Sequence, residues 1–121
     1  MGHLDSMYAQ YKEEYENVFT VMEPEVGFAN YKLEKEHEDS VEIYIQEIFV
    51  MKNVRGLKQA AKIADKTIKE AEKKFNKRVS MLYGSVGVGS KTSNMSIRAM
   101  TAYGFNLLSA NEQLIYFYKE L

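Results

Sequence analysis

Cysteine is absent from the 121 residues, which excludes disulfides, thiolate metal sites and cysteine nucleophiles and suits a reducing compartment. Histidine is nearly so: the chain has His3 and His37, and His3 falls in the opening Met1-Gly2-His3-Leu4-Asp5-Ser6, which has the form of an expression remnant ahead of a start at Met7. A nucleophile–imidazole pair therefore has few parts to draw on, and no serine sits in an elbow motif. Tryptophan is missing and proline occurs once, at Pro24. No apolar run approaches the roughly 20 residues that span a bilayer, and the amino terminus lacks the basic-then-apolar order of a signal peptide. A cytoplasmic protein with no membrane contact is the expectation. Nor is there an excess of charge, since 16 Lys and Arg face 17 Asp and Glu.

What is present is apolar patterning. Hydrophobic residues make up 45% of the chain, enough for one core and one domain over residues 1–121. Leu4, Tyr8, Tyr11, Tyr15, Val18 and Met22 alternate steps of four and three, which predicts a helix near 5–22 that stops at Pro24 and Gly27. Residues 28–54 read either as one long helix or as a charged stretch followed by a helix capped at Asp39 or Ser40. Val41, Ile43 and Ile45 alternate like a strand, yet Val41, Tyr44, Ile45, Ile48 and Met51 also fit a helix, and the length from 40 to 54 favours it. Leu57, Ala61, Ala64, Ile68, Ala71, Phe75 and Leu82 predict a third helix over 57–83. Met100, Tyr103, Leu107, Ala110, Leu114, Phe117 and Leu121 predict a fourth over 95–121. Four stripes with short connections specify an all-α fold, an antiparallel four-helix bundle.

Charge is segregated along the chain. Residues 1–54 hold 12 acidic and 4 basic side chains, and residues 55–121 hold 5 and 12. Lys58, Lys62, Lys66, Lys69, Lys73 and Lys77 fall on helical spacing and predict a lysine ridge, a contact face for an acidic partner or for a phosphate backbone. The segment from Gly84 to Asn94, with Gly84, Gly87 and Gly89, is predicted as a connecting loop. Its Gly89-Ser90-Lys91-Thr92 has the look of a phosphate-binding loop, but Ser90 separates the glycine from the lysine and spoils the convergence of donors such a loop requires.

Glu34-Lys35-Glu36-His37 contains one Glu-x-x-His. On an unbroken helix Glu34 and His37 would share a face, opposite Glu14 on the first helix. This resembles the ferritin-like pattern, chiefly its encapsulated two-helix members, over that one motif, and the resemblance implies a dimeric di-metal site holding iron or another divalent metal. Surplus tyrosine and methionine, nine and seven residues, suit an interface. The reading that follows is a non-enzymatic helical interaction module with no cofactor, self-associating or binding a protein partner as adaptor, small chaperone, inhibitor or assembly subunit. Nucleic-acid binding along the lysine ridge and the di-metal site are its alternatives.

Overall fold

The computed structural model describes residues 18–54, 56–88 and 93–121, without the side chains of residues 57 and 93–96. Over these residues the chain is a sheet with two helices, not a helical bundle. The strands are β1 (Phe19–Glu23), β2 (Gly27–Glu36), β3 (Ser40–Val50), β4 (Arg78–Gly87), β5 (Asn106–Ala110) and β6 (Leu114–Glu120), and the helices are α1 (Leu57–Phe75) and α2 (Ser93–Tyr103). The order across the sheet is β1-β2-β3-β4-β6-β5. Every neighbouring pair is antiparallel except β3 and β4, which run parallel through the α1 crossover.

Bulges explain why helical spacing appeared where strands formed. Gln46 is an extra residue on β3 opposite β2, Ser80 on β4 opposite β3, and Leu108 on β5 opposite β6. Each extra residue turns one alternating step of two into a step of three. Val41, Ile43, Ile45 and Ile48 therefore share one face of β3, and Val79, Leu82 and Val86 share the same face of β4. The predicted helix over 28–54 is two antiparallel strands. The predicted helix over 95–121 is α2 followed by the β5–β6 hairpin, whose turn is held by Asn111 Oδ1 accepting from the backbone N–H of Gln113 and Leu114 at 2.7 and 2.8 Å. The first predicted helix lies outside the described residues over 5–17, and its last four positions, 19–22, belong to β1.

α1 forms where its stripe predicts but ends eight residues early. Asn76 adopts the left-handed conformation (φ 53°) and its N–H bonds to the Glu72 carbonyl, a left-handed cap that releases the chain into β4. Glu72 Oε2 then accepts from the Val79 N–H at 3.0 Å, tying the helix end to the first turn of the new strand. The inner face of α1, with Ile63, Ala64, Thr67 and Ala71 buried, covers Val21, Tyr31, Val41, Ile43 and Ile45. Thr67 satisfies its buried hydroxyl on the Ile63 carbonyl at 2.7 Å. Gly27 is set by close approach, because a Cβ there would lie 1.9 Å from the Phe49 carbonyl oxygen across the sheet. Among the described residues no helix is long and apolar enough to cross a membrane.

Candidate active site

The register between β3 and β4 ends at Ile45↔Gly84. β3 nevertheless continues to Val50 along β2, and β4 continues to Gly87 along β6. Two parallel strands of one sheet thus part company at their carboxyl ends, the place where open α/β sheets receive ligands. Between them lies a slot of about 320 Å³ lined by Ile45, Ile48, Ala60, Val86, Ala99, Met100 and Phe105, with Gly84 and Gly87 among its small residues. Gly84 admits Met100, whose Cε would lie 2.6 Å from a Cβ built there, whereas a Cβ at Gly87 meets nothing within 4 Å.

Two helices frame the slot. The chain leaves β3 through a 3-10 turn, Lys52–Val54, and enters α1 at Gly56. Gly56 at the cap position has no side chain to bond the α1 amino end, and the first turn holds no acidic residue. The Gln59 N–H turns back to the Gly56 carbonyl at 3.2 Å, and among the described residues the positive dipole end of this 19-residue helix faces no carboxylate of its own first turn. Ala60, one turn in, borders the slot. α2 is fixed to α1 by the Tyr103 hydroxyl, which donates to Asp65 Oδ1 at 2.6 Å. Burial first, and then that bond, push the Tyr103 phenol well above its ordinary range. Gly104, at φ 110°, makes the turn into β5, and Lys119 Nζ bonds to the Tyr103 carbonyl at 2.8 Å and sits 4.1 Å over its ring.

On the opposite face of the sheet Phe28 and Asn30 of β2 are buried, while further along β2 and over β3 and β4 the described residues leave a hollow. A basin of about 1070 Å³ spreads over Lys32, Glu34, Lys35, Glu42, Tyr44, Tyr83, Leu108 and Tyr116, and it shares Gln46 and Gly84 with the slot. Glu42 is its electrostatic centre. Oε1 accepts from the Tyr83 hydroxyl at 2.6 Å and Oε2 lies 2.5 Å from His37 Nε2. These two hydrogen bonds, Tyr83 first, hold the Glu42 carboxyl below its ordinary value, while the same bond pushes the Tyr83 phenol up to about 12. Closer to the fork, the Tyr44 hydroxyl and Ser85 Oγ share a 2.5 Å hydrogen bond between β3 and β4.

The residues singled out by the sequence are distributed differently from the expected pattern. Lys58, Lys62, Lys69 and Lys73 are exposed on α1. Lys66 turns to the Met22 carbonyl at 2.6 Å and Glu23 at 3.2 Å, and Lys77, beyond the helix, binds Glu36 at 3.0 Å and the His37 carbonyl at 2.8 Å. Two members of the six-residue ridge are thus tied to the acidic half. Glu14 lies outside the described residues, Glu34 is on β2, and His37 follows that strand, so the one-face helical geometry behind a di-metal site does not exist. No group of three His, Asp or Glu placed to hold a metal ion occurs among the described residues. The predicted glycine loop is in fact the end of β4 as far as Gly87, with 89–92 outside the described residues. Sequence reasoning missed Glu42, Tyr44, Tyr83 and Ser85. The alternation over Val41–Val50 could have placed Glu42 and Tyr44 on one strand face, but nothing in the sequence joins them to Tyr83 and Ser85.

No protein-family model matches the sequence, and no curated protein sequence is similar to it. The fold, however, is similar to that of solved acetyltransferases, GNAT-family members among them. Arabidopsis thaliana Naa50, in complex with the bisubstrate analogue CoA-Ac-MVNAL, superposes with a TM-score of 0.61 at 16% identity, over 79% of this chain and 66% of that one. Campylobacter jejuni N-acetyltransferase PseH, in complex with acetyl coenzyme A, gives 0.60 at 15%, over 99% and 82%. A GNAT-family acetyltransferase from Listeria monocytogenes gives 0.54 at 15%, over 79% and 58%. The chain thus spans just under two thirds of the Arabidopsis protein's length and less of the Listeria protein's. This likeness overturns the helical bundle and, with it, the non-enzymatic interaction module.

Proposed function

We propose that the protein is an acetyl-CoA-dependent N-acetyltransferase acting on a primary amine. The observation that carries this reading is the parting of β3 and β4 into a slot bordered by Ala60 in the first turn of α1, a helix that begins at Gly56. The residues fit the thioester arm of acetyl-CoA. The slot walls are mainly apolar, with Gln46, Glu47 and Ser85 as the polar exceptions and small residues at 84 and 87, the diverging strands run alongside it, and the α1 amino end supplies donors for a pyrophosphate. The neighbours crystallised with CoA, acetyl-CoA or a CoA bisubstrate support the same assignment.

The amine enters from the basin. An acceptor ammonium is attracted to the Glu42 carboxylate, which its partners keep ionised. After losing one proton to solvent the nitrogen attacks the thioester carbonyl where basin and slot meet, at Gln46 and Gly84. The C–N bond forms, the C–S bond breaks, and the products are the acetamide and CoA thiol. Positioning two reactants in adjoining chambers supplies much of the acceleration. The test is thiol release from acetyl-CoA in the presence of a panel of peptides with free amino termini, lysine, polyamines and amino sugars. Amine-dependent release is expected, and no acetyl-CoA binding by calorimetry together with no release would overturn the assignment.

A further inference from the structure

Resting on the acetyltransferase reading, we infer that Tyr44 and Ser85 form a two-hydroxyl relay that carries the proton of the attacking amine to the departing CoA sulfur. The two side chains meet beside the border that the chambers share at Gln46 and Gly84. Tyr44 lines the basin and Ser85 lines the slot. Their oxygens are 2.5 Å apart. Ser85 stands one residue beyond Gly84, the last β4 residue in register with β3, at the mouth of the fork, and its hydroxyl reaches back to Tyr44. Lys32 Nζ, 5.4 Å from the Tyr44 ring centre, steadies that ring from the β2 side.

The reaction needs one proton to cross from one chamber to the other. The neutral amine, on bonding to the carbonyl carbon, must lose a proton on the basin side, and the thiolate freed by C–S cleavage must gain one on the slot side. In the relay the amine N–H passes to Tyr44 Oη as the Tyr44 proton passes to Ser85 Oγ and the Ser85 proton passes to sulfur. Both hydroxyls end as they began, and no co-reactant is consumed. Glu42 cannot make the same delivery. It lies three residues back along β3 from Ile45, roughly 10 Å from the fork at about 3.3 Å per residue, and both its oxygens are engaged by Tyr83 and His37.

The experiment uses the full chain with acetyl-CoA and hydroxylamine, a small acceptor that needs no specific recognition, and follows CoA thiol release above the uncatalysed rate. Tyr44→Phe and Ser85→Ala are each expected to lower kcat on the order of 100-fold, with the calorimetric Kd for acetyl-CoA unchanged. The double variant is expected to be no slower than either single one, because each breaks the same wire. Ser85→Thr, which keeps a hydroxyl, is expected to restore most of the rate, and the wild-type solvent deuterium effect is expected to shrink in Ser85→Ala. Single variants that retain wild-type kcat, or losses that multiply in the double variant, would overturn the relay while leaving the acetyltransferase standing. A wild-type chain that binds acetyl-CoA but releases no CoA to hydroxylamine would sink the relay, and one that does not bind acetyl-CoA would remove both.

Discussion

Glu42 and Tyr83 share one hydrogen bond, and the two groups read pH in opposite directions. Glu42 is held below its ordinary value. Its contribution to stability is therefore present above the unfolded-state pKa and is lost as pH falls through the folded one. Tyr83, raised to about 12, contributes fully below the ordinary tyrosine value of about 10 and loses that contribution as pH rises through its folded value. In an ultraviolet titration of phenolate, Tyr83→Phe is expected to remove amplitude above about pH 11 and leave the region near pH 10 unchanged. His37 is the second cause of the Glu42 shift. His37→Ala should accordingly move the acidic limb of kcat/KM for the amine upward, because a less stabilised carboxylate protonates sooner. An acidic limb that stays in place would show that Glu42 does not face the acceptor.

At the scale of elements, the slot depends on small residues along β4. Gly87 borders it, and a Cβ added there meets nothing within 4 Å. Valine suits a strand backbone, so Gly87→Val is expected to keep the fold while filling the slot. We expect acetyl-CoA affinity to fall at least about 10-fold, equivalent to about 1.4 kcal/mol, with an unchanged far-ultraviolet spectrum. Affinity equal to wild type would place the thioester arm elsewhere. The same strand shows what the sequence could and could not reveal. The stripe of α1 was legible from Ala64 to Phe75 because an unbroken helix keeps its phase. β3 and β4 were not, because bulges at Gln46 and Ser80 shift the alternation by one residue and produce steps of three. Val41, Ile43 and Ile45 did show the strand period, but an 11-residue strand is long enough for its length to argue for a helix. The β5–β6 hairpin hid for another reason: all five residues of β5 are exposed, Leu107 by 64% and Leu108 by 54%, so its leucines imitate the buried stripe of a helix without packing in a core. The site itself was illegible, since Glu42, Tyr44, Tyr83 and Ser85 converge only after β4 has returned beside β3 through the α1 crossover.

For the molecule as a whole, the segregation of charge becomes a cross-brace. Lys66 to Glu23 and Lys77 to Glu36 join the basic half to the acidic half across α1 and the first two strands. Each pair is partly exposed and contributes little alone, so the two halves are held chiefly by the shared core of Val21, Tyr31, Ile43, Ala64 and Leu82. The slot lies between β3 and β4, where those halves meet, and its walls come from β3, α1, β4 and α2 together. A ligand seated there contacts elements that separate when the chain unfolds, and it stabilises the folded state by mass action. With acetyl-CoA at 100 times its Kd the gain is about 2.7 kcal/mol. At roughly 4 °C per kcal/mol for a domain of this size, the thermal midpoint is expected to rise by about 10 °C. Gly87→Val should forfeit most of that rise without lowering the ligand-free midpoint by a comparable amount. A midpoint insensitive to acetyl-CoA in the wild-type chain would mean that the fork between β3 and β4 is not a ligand site.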